Sequence, residues 1–338
     1  MTLTPLHSTA VAVGVLTLSL GAASADTLVV YSPQPAENMA VLEGAAEAAL
    51  GFDIEFVNAG GGAIHDRILA ERNNPQADVV YGLIDLLLAS LKQADVLVPY
   101  TPNTLDGLPE RFIDPDGYFY GYRQTPLAMA INTDAMSMED APTSWEDLAD
   151  PRFEGQFIIG GLTWQTTRGL LSGMFTRLLD ADGNMTDEGW EWMADFYDNA
   201  RVYFEGMEQV QLISSGETPI TLNHFTGVQA QAAEGDYNFE YVDTPGGVVV
   251  VGEGNAIVSG TDQFDNALRF IEFASSVDWQ IEAAEQFGIL PAHPDAIAAS
   301  PDEIRNNPAL QLEAQDIDWD NMARQMPAWL EIIELDLL

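Results

Sequence analysis

The chain has 338 residues, 47% of them hydrophobic, which is enough for two globular domains of ordinary size. It carries 53 acidic residues against 12 basic ones, for a formal net charge of −41. Nucleic-acid binding is excluded because phosphate contacts need clustered Lys and Arg. The absence of cysteine excludes disulfides, thiolate metal sites and cysteine nucleophiles. Acidic residues are spread along the whole chain, and such self-repulsion is tolerated best in concentrated salt, so we infer a halophilic source.

Residues 1–25 have the pattern of a secretory signal peptide. Thr9 to Ala23 form an apolar run too short to span a bilayer, and Ala23-Ser24-Ala25 matches a cleavage site. No lysine or arginine precedes this run, so a buried N-terminal helix is the alternative. No cysteine is available to carry a lipid anchor, so the secreted chain would diffuse away from a cell that lacks an outer membrane. Retention in a Gram-negative periplasm is therefore favoured. We therefore predict a periplasmic location.

Three β-rich runs then alternate with helical patterns. They are 27–32, 53–57 and 77–82, and the second leads into the turn Gly60-Gly61-Gly62. Strand, polar turn and helix thus repeat three times between Thr27 and Leu91. This pattern predicts an α/β fold with a parallel sheet, whose strand ends and helix N-termini face one crevice.

The rest of the chain predicts a second lobe and two strands that cross between the lobes. The first crossing run is 127–132; the second consists of two runs, 247–251 and 255–258, with Gly252-Glu253-Gly254 between them. Between these we expect a strand at 157–161, helices at 166–179 and 186–200, and strands at 202–204 and 220–223. An amphipathic segment runs from Met322 to Leu338. The predicted divisions are 1–25 signal peptide, 26–126 first lobe, 127–247 second lobe, 248–300 return to the first lobe, and 301–338 C-terminal helical segment.

Several segments resemble the family 1 extracellular solute-binding proteins of ABC importers, in the branch that includes ferric-ion binders. They are 28–32, 74–80, 130–134, and 142–148 with Asp150-Pro151 and Gly155, in the expected order. The resemblance implies a two-lobed periplasmic binding fold, two lobes joined by two crossing strands around a ligand cleft, and delivery to an ABC permease in the inner membrane.

The ferric members of that family use a pair of adjacent tyrosines, in a segment that we align with Asn223-His224-Phe225. Those tyrosines are absent here. Fe³⁺ favours anionic oxygen ligands, and a His-Phe pair offers only one neutral nitrogen. We therefore expect the ligand to be a small anionic or polyhydroxylated organic solute, such as a phosphate ester. Ferric ion is the alternative ligand.

Candidate ligand-binding residues follow strands or begin helices, where free backbone N–H groups and hydroxyls suit an oxyanion. Ordinary capping and turn chemistry would select the same residue types. Arg123 and Arg168 are notable because basic residues are scarce, although each could instead pair with a surface acid. Nearby aromatic residues could stack on a ligand or fill the core between the lobes. The predicted set is Ser32, Gly61, Gly62, Tyr81, Tyr122, Thr125, Thr166, Thr167, Arg168, Asn223, His224 and Phe225.

Residues 180–191 partly match a calcium-binding loop. Met185 stands where that loop has glycine, and Asp187 where an apolar residue is usual, so a capped acidic loop is the preferred interpretation. No HExxH, GxSxG or P-loop pattern occurs. We therefore predict a monomeric binding protein with a small-molecule solute and a permease as partners and no cofactor. A secreted hydrolase is the alternative from another class.

Overall fold

The computed structural model describes residues 27–202 and 208–338. The three predicted pairs of strand and helix are present in the expected order. In each pair the helix begins one to four residues after the strand ends. The signal-peptide prediction for residues 1–25 lies outside the described residues, as do Tyr203 and Phe204 of the predicted strand at 202–204. None of the helices in the two described ranges is long and apolar enough to cross a membrane.

The strands are β1 Leu28–Ser32, β2 Ile54–Asn58, β3 Val79–Ile84, β4 Leu97–Val98, β5 Phe119–Asn132, β6 Phe157–Ile159, β7 Arg201–Val202, β8 Ile220–His224, β9 Phe239–Tyr241, β10 Val249–Val258 and β11 Leu290–Pro291. The α-helices are α1 Ala36–Leu50, α2 Gly61–Ala70, α3 Asp85–Gln93, α4 Gln165–Leu178, α5 Asp187–Asn199, α6 Gln209–Ser214, α7 Phe225–Gly235, α8 Phe264–Ala274, α9 Val277–Phe287, α10 Pro294–Ala299, α11 Asp302–Arg305 and α12 Trp319–Ile332.

Within the described ranges, the strands form one continuous sheet whose main path runs β2-β1-β3-β10-β5-β8-β6-β7. Strands β1, β2 and β3 are mutually parallel, as are β8, β6 and β7. Between these two parallel groups lie the long antiparallel neighbours β5 and β10. The expected α/β architecture, with two lobes joined by two crossing strands, is confirmed.

The second crossing strand differs from its prediction. Residues 247–251 and 255–258 were expected as two runs, but Val249–Val258 is a single strand that continues through Gly252-Glu253-Gly254. The pairing register shifts between Glu253 and Gly254 on the β5 side, and between Gly254 and Asn255 on the β3 side. The extra residues are Tyr122 in β5 and Gly82 in β3, and such bulges do not end the strand, so β10 continues through the glycines without a turn.

Helix boundaries also depart slightly from the sequence patterns. Helix α4 begins at Gln165, before Thr166 and Thr167, and Trp164 precedes it without a side-chain cap. Helix α5 begins one residue after Thr186, whose hydroxyl accepts the Gly189 N–H and so makes Thr186 the N-cap. Helix α12 begins at Trp319 and not at Met322, because the Asp318 carboxylate accepts the Asn321 N–H.

The acidic loop before α5 organises its own backbone. The Oδ1 atom of Asp180 accepts the N–H groups of Asp182 and Asn184, each at 2.9 Å. Within residues 27–202 and 208–338, no group of three or more His, Asp or Glu side chains is arranged to hold a metal ion. The loop geometry is therefore that of a hydrogen-bonded turn leading to the α5 cap.

The C-terminal helix α12 packs against both halves of the molecule. Trp329 contacts Phe175 of α4, with ring centroids 4.6 Å apart, while the Gln93 side chain of α3 donates to the Asp320 carbonyl at 2.9 Å. Met326 and Leu88 belong to the same buried cluster as these rings. This segment thus covers the junction behind the sheet and positions α4 against the crossing strands.

The glycines of α4 determine how closely that helix approaches the sheet. A Cβ atom on Gly173 would lie 2.1 Å from Val249 Cγ2, and one on Gly169 would lie 2.7 Å from Leu127 Cδ1. Since real Cβ atoms do not approach that closely, a side chain at either site would require Val249, Leu127 or the helix itself to shift. The N-terminus of α4 is thereby held at the junction of the lobes.

We predict opposite effects for two Gly→Ala substitutions within helices. Gly173→Ala should lower the free energy of unfolding by about 1–3 kcal/mol because it overpacks the contact with Val249. Gly44→Ala in α1, where a Cβ would meet nothing within 4 Å, should raise it by about 0.5–1 kcal/mol because alanine is the better helix former. Urea denaturation of both variants in concentrated salt would measure this, and equal shifts would contradict close packing of α4.

Candidate ligand-binding cleft

A cavity of about 460 Å³ lies between the two halves of the sheet, within the range of about 300–1,000 Å³ usual for small-molecule sites. One wall is formed by the segment after β1 and the N-terminus of α2. The facing wall is formed by the N-termini of α4 and α7. The crossing strands β5 and β10 line the base, and the end of α9 closes one side with Phe287, Ile289 and Leu290.

A buried ion pair joins the two crossing strands at the base of this cavity. Arg123 of β5 and Glu253 of β10 are direct partners in the strand register, and Arg123 Nη2 lies 2.7 Å from Glu253 Oε1. Their side chains are only 16% and 3% exposed. Thr125 Oγ1 also donates to Glu253 Oε1, at 2.7 Å.

Gln34 completes this cluster from the segment after β1. Its amide Nε2 donates to Glu253 Oε2 at 2.6 Å, and its Oε1 accepts from Arg123 Nη1 at 3.0 Å. Both carboxylate oxygens of Glu253 are therefore occupied by protein donors. Burial alone would lower the pKa of Arg123, but the neighbouring Glu253 carboxylate outweighs it and holds that pKa above its usual value. The Arg123 guanidinium therefore keeps its positive charge beside the Glu253 side chain.

His224 and Phe225 stand where α7 begins. The Gly227 N–H donates to His224 Nδ1 at 2.9 Å, so the imidazole acts as the N-cap of α7 and its proton is on Nε2. Burial lowers the pKa of His224, and the positive charge of Arg123 lowers it further. The ring is therefore neutral at pH 7 and offers one N–H donor. Phe225 stacks on Tyr241 with ring centroids 3.7 Å apart, which fixes its position in the wall.

The N-terminus of α4 brings Trp164, Gln165 and Thr166 to the cavity. Gln165 Oε1 is buried, and it has no hydrogen-bond partner among the described residues. It lies beside Gly61 of the facing wall, where a Cβ atom would come within 2.7 Å of it. A buried carbonyl oxygen without a donor costs about 1–3 kcal/mol, and this one is enclosed between the two walls.

The glycine turn before α2 touches the opposite lobe. The Gly62 N–H donates to the carbonyl oxygen of Thr163 at 3.2 Å, and a Cβ on Gly62 would lie 2.3 Å from that oxygen. Arg168 lies at the same seam, where its Nε donates to the Leu162 carbonyl at 2.8 Å. Burial lowers the pKa of Arg168, although the Asp66 carboxylate partly opposes this. The structure therefore has the lobes in contact at this seam.

Asp85 lies directly behind the base of the cavity, at the start of α3. Its carboxylate accepts the N–H of Gly252, at 2.5 Å, and so supports the bent strand β10. Burial raises the pKa of Asp85 to about 7, with a further rise from Glu253, while the bond from Gly252 and the charge of Arg111 oppose it. Gly252 has no room for a side chain, since a Cβ would lie 2.8 Å from Asp85 Oδ1.

Five of the twelve predicted site residues line the cavity, and nothing in the structure tests their contact with a ligand. They come from five different elements and from both walls and the base, as the sequence argument required. They are Gly61, Thr125, Thr166, His224 and Phe225.

The other seven predicted residues are not part of the cavity lining and contact other protein groups instead. Tyr81 and Tyr122 stack in the core 4.7 Å apart, and Thr167 is buried with its hydroxyl against Gly160. The side chains of Ser32 and Asn223 accept the N–H groups of Gln34 and His224. The remaining two, Gly62 and Arg168, form the seam described above.

Besides Arg123, the predicted set omits six polar residues of the lining, which are Gln34, Asn38, Gln124, Gln165, Thr226 and Glu253. Gln34 and Asn38 follow β1 and begin α1, so the strand-end rule that selected Ser32 could have found them. Gln165 directly precedes Thr166, and only the observed helix start brings it to the cavity. Glu253 had no distinguishing signal, since it is one of 53 acidic residues.

Two lobes around a cavity whose base is two crossing strands define a solute-binding protein of the periplasmic type. Residues 41–312 match the model of the family described as bacterial extracellular solute-binding protein. The chain belongs to this family, and the resemblance noted in the sequence is confirmed.

Three known proteins are similar to this chain. A probable ABC transporter periplasmic-binding protein of Sinorhizobium fredii is 41% identical over 315 residues, covering 93% of this chain and 87% of the relative. The structure of AfuA from Actinobacillus pleuropneumoniae, with fructose-6-phosphate bound, is similar with a TM-score of 0.77 at 23% identity, over 92% and 99% of the two chains. Iron-bound HitA from Pseudomonas aeruginosa gives 0.76 at 19% identity, over 91% and 99%. At these identities the two structures establish the fold alone.

We predict that Glu253→Gln destabilises the protein, because it leaves the buried Arg123 without its counter-charge. The loss in free energy of unfolding should be about 3 kcal/mol. The exposed Glu240→Gln serves as the matched control and should change it by less than about 0.5 kcal/mol. Guanidinium titrations would measure both, and equal stabilities of the two variants would mean that the pair does not hold the crossing strands together.

We predict that Gly62→Ala prevents full contact between the lobes, since its methyl group would overlap the Thr163 carbonyl. Gly60→Ala is the control, because a Cβ there meets nothing within 4 Å. Small-angle X-ray scattering should give a larger radius of gyration for Gly62→Ala than for the parent, and no change for Gly60→Ala. If the parent and both variants gave the same scattering profile, the contact between Gly62 and Thr163 would not limit how closely the lobes approach.

Proposed function

We propose that this protein is the periplasmic solute-binding component of an ABC importer, and that it captures one small organic solute, anionic or polyhydroxylated, for delivery to an inner-membrane permease. The observation that supports this most directly is the cavity of about 460 Å³ between two lobes that share crossing strands. The family membership and the relative described as an ABC transporter periplasmic-binding protein agree with it.

Ferric ion is the second candidate, because iron-bound HitA has the same fold. The described lining argues against it. Fe³⁺ needs several anionic oxygen ligands, whereas the lining contains one carboxylate, Glu253, and both its oxygens accept hydrogen bonds from protein groups. The segment aligned with the family's tyrosine pair contributes a neutral imidazole and a phenyl ring instead. Organic solutes therefore fit the lining better.

A thermal-shift screen tests the proposed function. The purified protein is heated with a panel of sugars, sugar phosphates, carboxylates, amino acids and ferric citrate, at low salt and in about 1 M salt. We expect at least one organic compound to raise the melting temperature saturably, as ligand binding to the folded state requires. The absence of any stabilising compound, or a visible charge-transfer band with iron as the strongest hit, would contradict the proposal.

The same screen separates binding from hydrolysis. Each stabilising compound is incubated with the protein and analysed by mass spectrometry. We expect the compound to be recovered unchanged, because the lining provides no activated nucleophile or acid and base pair among the described residues. Stoichiometric binding with conversion to a product would favour the secreted hydrolase instead.

A further inference from the structure

We propose that Asp66 of α2 and Arg168 of α4 attract each other across the seam between the lobes, and that this attraction favours the closed arrangement of the lobes over an open one. Neither residue lines the cavity, so they act on solute binding only through the position of the lobes. Asp66 and Arg168 are therefore positioning residues, and their effect does not depend on which solute the cleft holds.

Arg168 differs from the other arginines of its lobe in having no nearby acid. Residues 133–247 contain 21 acidic residues and four arginines. The other three arginines each have a carboxylate oxygen of the same lobe within 4.0 Å, whereas no carboxylate oxygen of the described residues lies that close to Arg168. Half-buried arginines are usually paired, so this one has its counter-charge elsewhere, on the facing lobe.

The second lobe presents the Arg168 guanidinium to α2. Its Nε donates to the Leu162 carbonyl at 2.8 Å, while its Nη groups have no hydrogen-bond acceptor among the described residues. Nη2 lies 3.3 Å from the position that a Cβ on Gly62 would occupy. The unpaired half of the guanidinium therefore faces the first lobe, in the space left by the missing side chain of Gly62.

Asp66 lies one helical turn beyond Gly62, on the same face of α2. Residues four apart on a helix have Cβ atoms about 5–6 Å apart, and each Cα–Cβ bond tilts toward the helix N-terminus. The Asp66 side chain therefore leans back toward the guanidinium beside Gly62. Burial lowers the pKa of Arg168, and the Asp66 carboxylate opposes that effect, as an opposite charge close by must.

His65 holds the Asp66 carboxylate without cancelling its charge. The imidazole Nδ1 lies 2.8 Å from Asp66 Oδ1, and its Nε2 lies 2.8 Å from the Ser90 hydroxyl of α3. Burial lowers the pKa of His65 below its usual 6.5, and the charge of Arg168 lowers it further, although the hydrogen bond to Asp66 opposes them. The ring is therefore neutral at pH 7. Asp66 is fixed by a neutral group, and its negative charge stays available to Arg168.

Closure of this cleft has to overcome repulsion between two acidic lobes. The net charge of −41 opposes any approach of the two surfaces. The hydrogen bond from Gly62 to the Thr163 carbonyl is uncharged and, at 3.2 Å, lies at the long end of the usual range. Opposite charges on the two sides of the same seam add an attraction that this bond lacks.

Pulsed electron paramagnetic resonance measures the arrangement of the lobes without any solute. Since the chain has no cysteine, spin labels attach only to cysteines that are introduced. Gln76→Cys places one label on the first lobe and Glu240→Cys places the other on the second, and both positions are exposed. The distribution of distances between the labels then gives the ratio of open to closed molecules.

Two variants in this labelled protein remove one charge each. Arg168→Gln can still donate to the Leu162 carbonyl, and Asp66→Asn can still accept from His65, so each keeps its hydrogen bond. We expect each to raise the ratio of long to short label distances about two- to fivefold. The double variant should raise it no more than either single one, because both remove the same attraction. At about 1 M salt, where the Debye length is about 3 Å, these differences should shrink.

Arg152→Gln is the matched control, because it removes the same charge from the same lobe at an exposed position that is paired with Asp150. It should leave the label distances unchanged. Circular dichroism establishes that every protein is folded at the lowest salt concentration used. Unchanged distances for Arg168→Gln or Asp66→Asn, additive effects in the double variant, or an equal effect of Arg152→Gln would each overturn the inference.

The outcomes of this experiment and of the solute screen are separate. If the label distances do not respond as expected, the attraction across the seam is wrong while the binding function stands. If the distances respond but no compound in the screen raises the melting temperature, the attraction stands and the proposed function fails.

Discussion

The ion pair between Arg123 and Glu253 is the interaction on which the two-lobed arrangement depends. It connects the two crossing strands at the residue where the register of β10 shifts, and so it fixes which residues of each strand face the cavity. Burying two charges is costly, but here Thr125 and Gln34 supply additional hydrogen bonds that offset the loss of water. Because the buried polar groups of this cluster have hydrogen-bond partners, the cluster favours one pairing register of β5 and β10 over slipped registers.

Helix N-termini illustrate how a local rule can locate backbone groups without showing which protein atoms they contact. Their free N–H groups suit anions in isolation, and the sequence placed several of them around one crevice, correctly as far as position is concerned. What the sequence did not indicate is that His224 turns back to cap its own helix, or that Thr163 of the opposite lobe supplies a carbonyl to Gly62. Competing acceptors within the protein decide whether such an end is open to a ligand.

The sequence predicted the architecture better than the cavity, and the reason is the range of the signals. Hydrophobic periodicity and polar strand ends are local, so they located β1 to β3, α1 to α3 and both crossing strands. They do not specify which way a side chain points. Thr166 lines the cavity while Thr167, one helical step of about 100° away, is buried against Gly160. Similarly, Gly61 lies at the cavity and Gly62 at the seam between the lobes.

Strand β5 pairs with β10 and β11 along its first part and with β8 and β9 along its last part. One uninterrupted strand therefore supplies hydrogen bonds to the sheets of both lobes, and β10 returns beside it in the opposite direction. No single cut in the gene would separate two complete halves, because either fragment would carry an unpaired sheet edge and an exposed half of the core. We therefore expect the two lobes to unfold together as one cooperative unit, so proteolytic dissection is a poor route to the separate lobes.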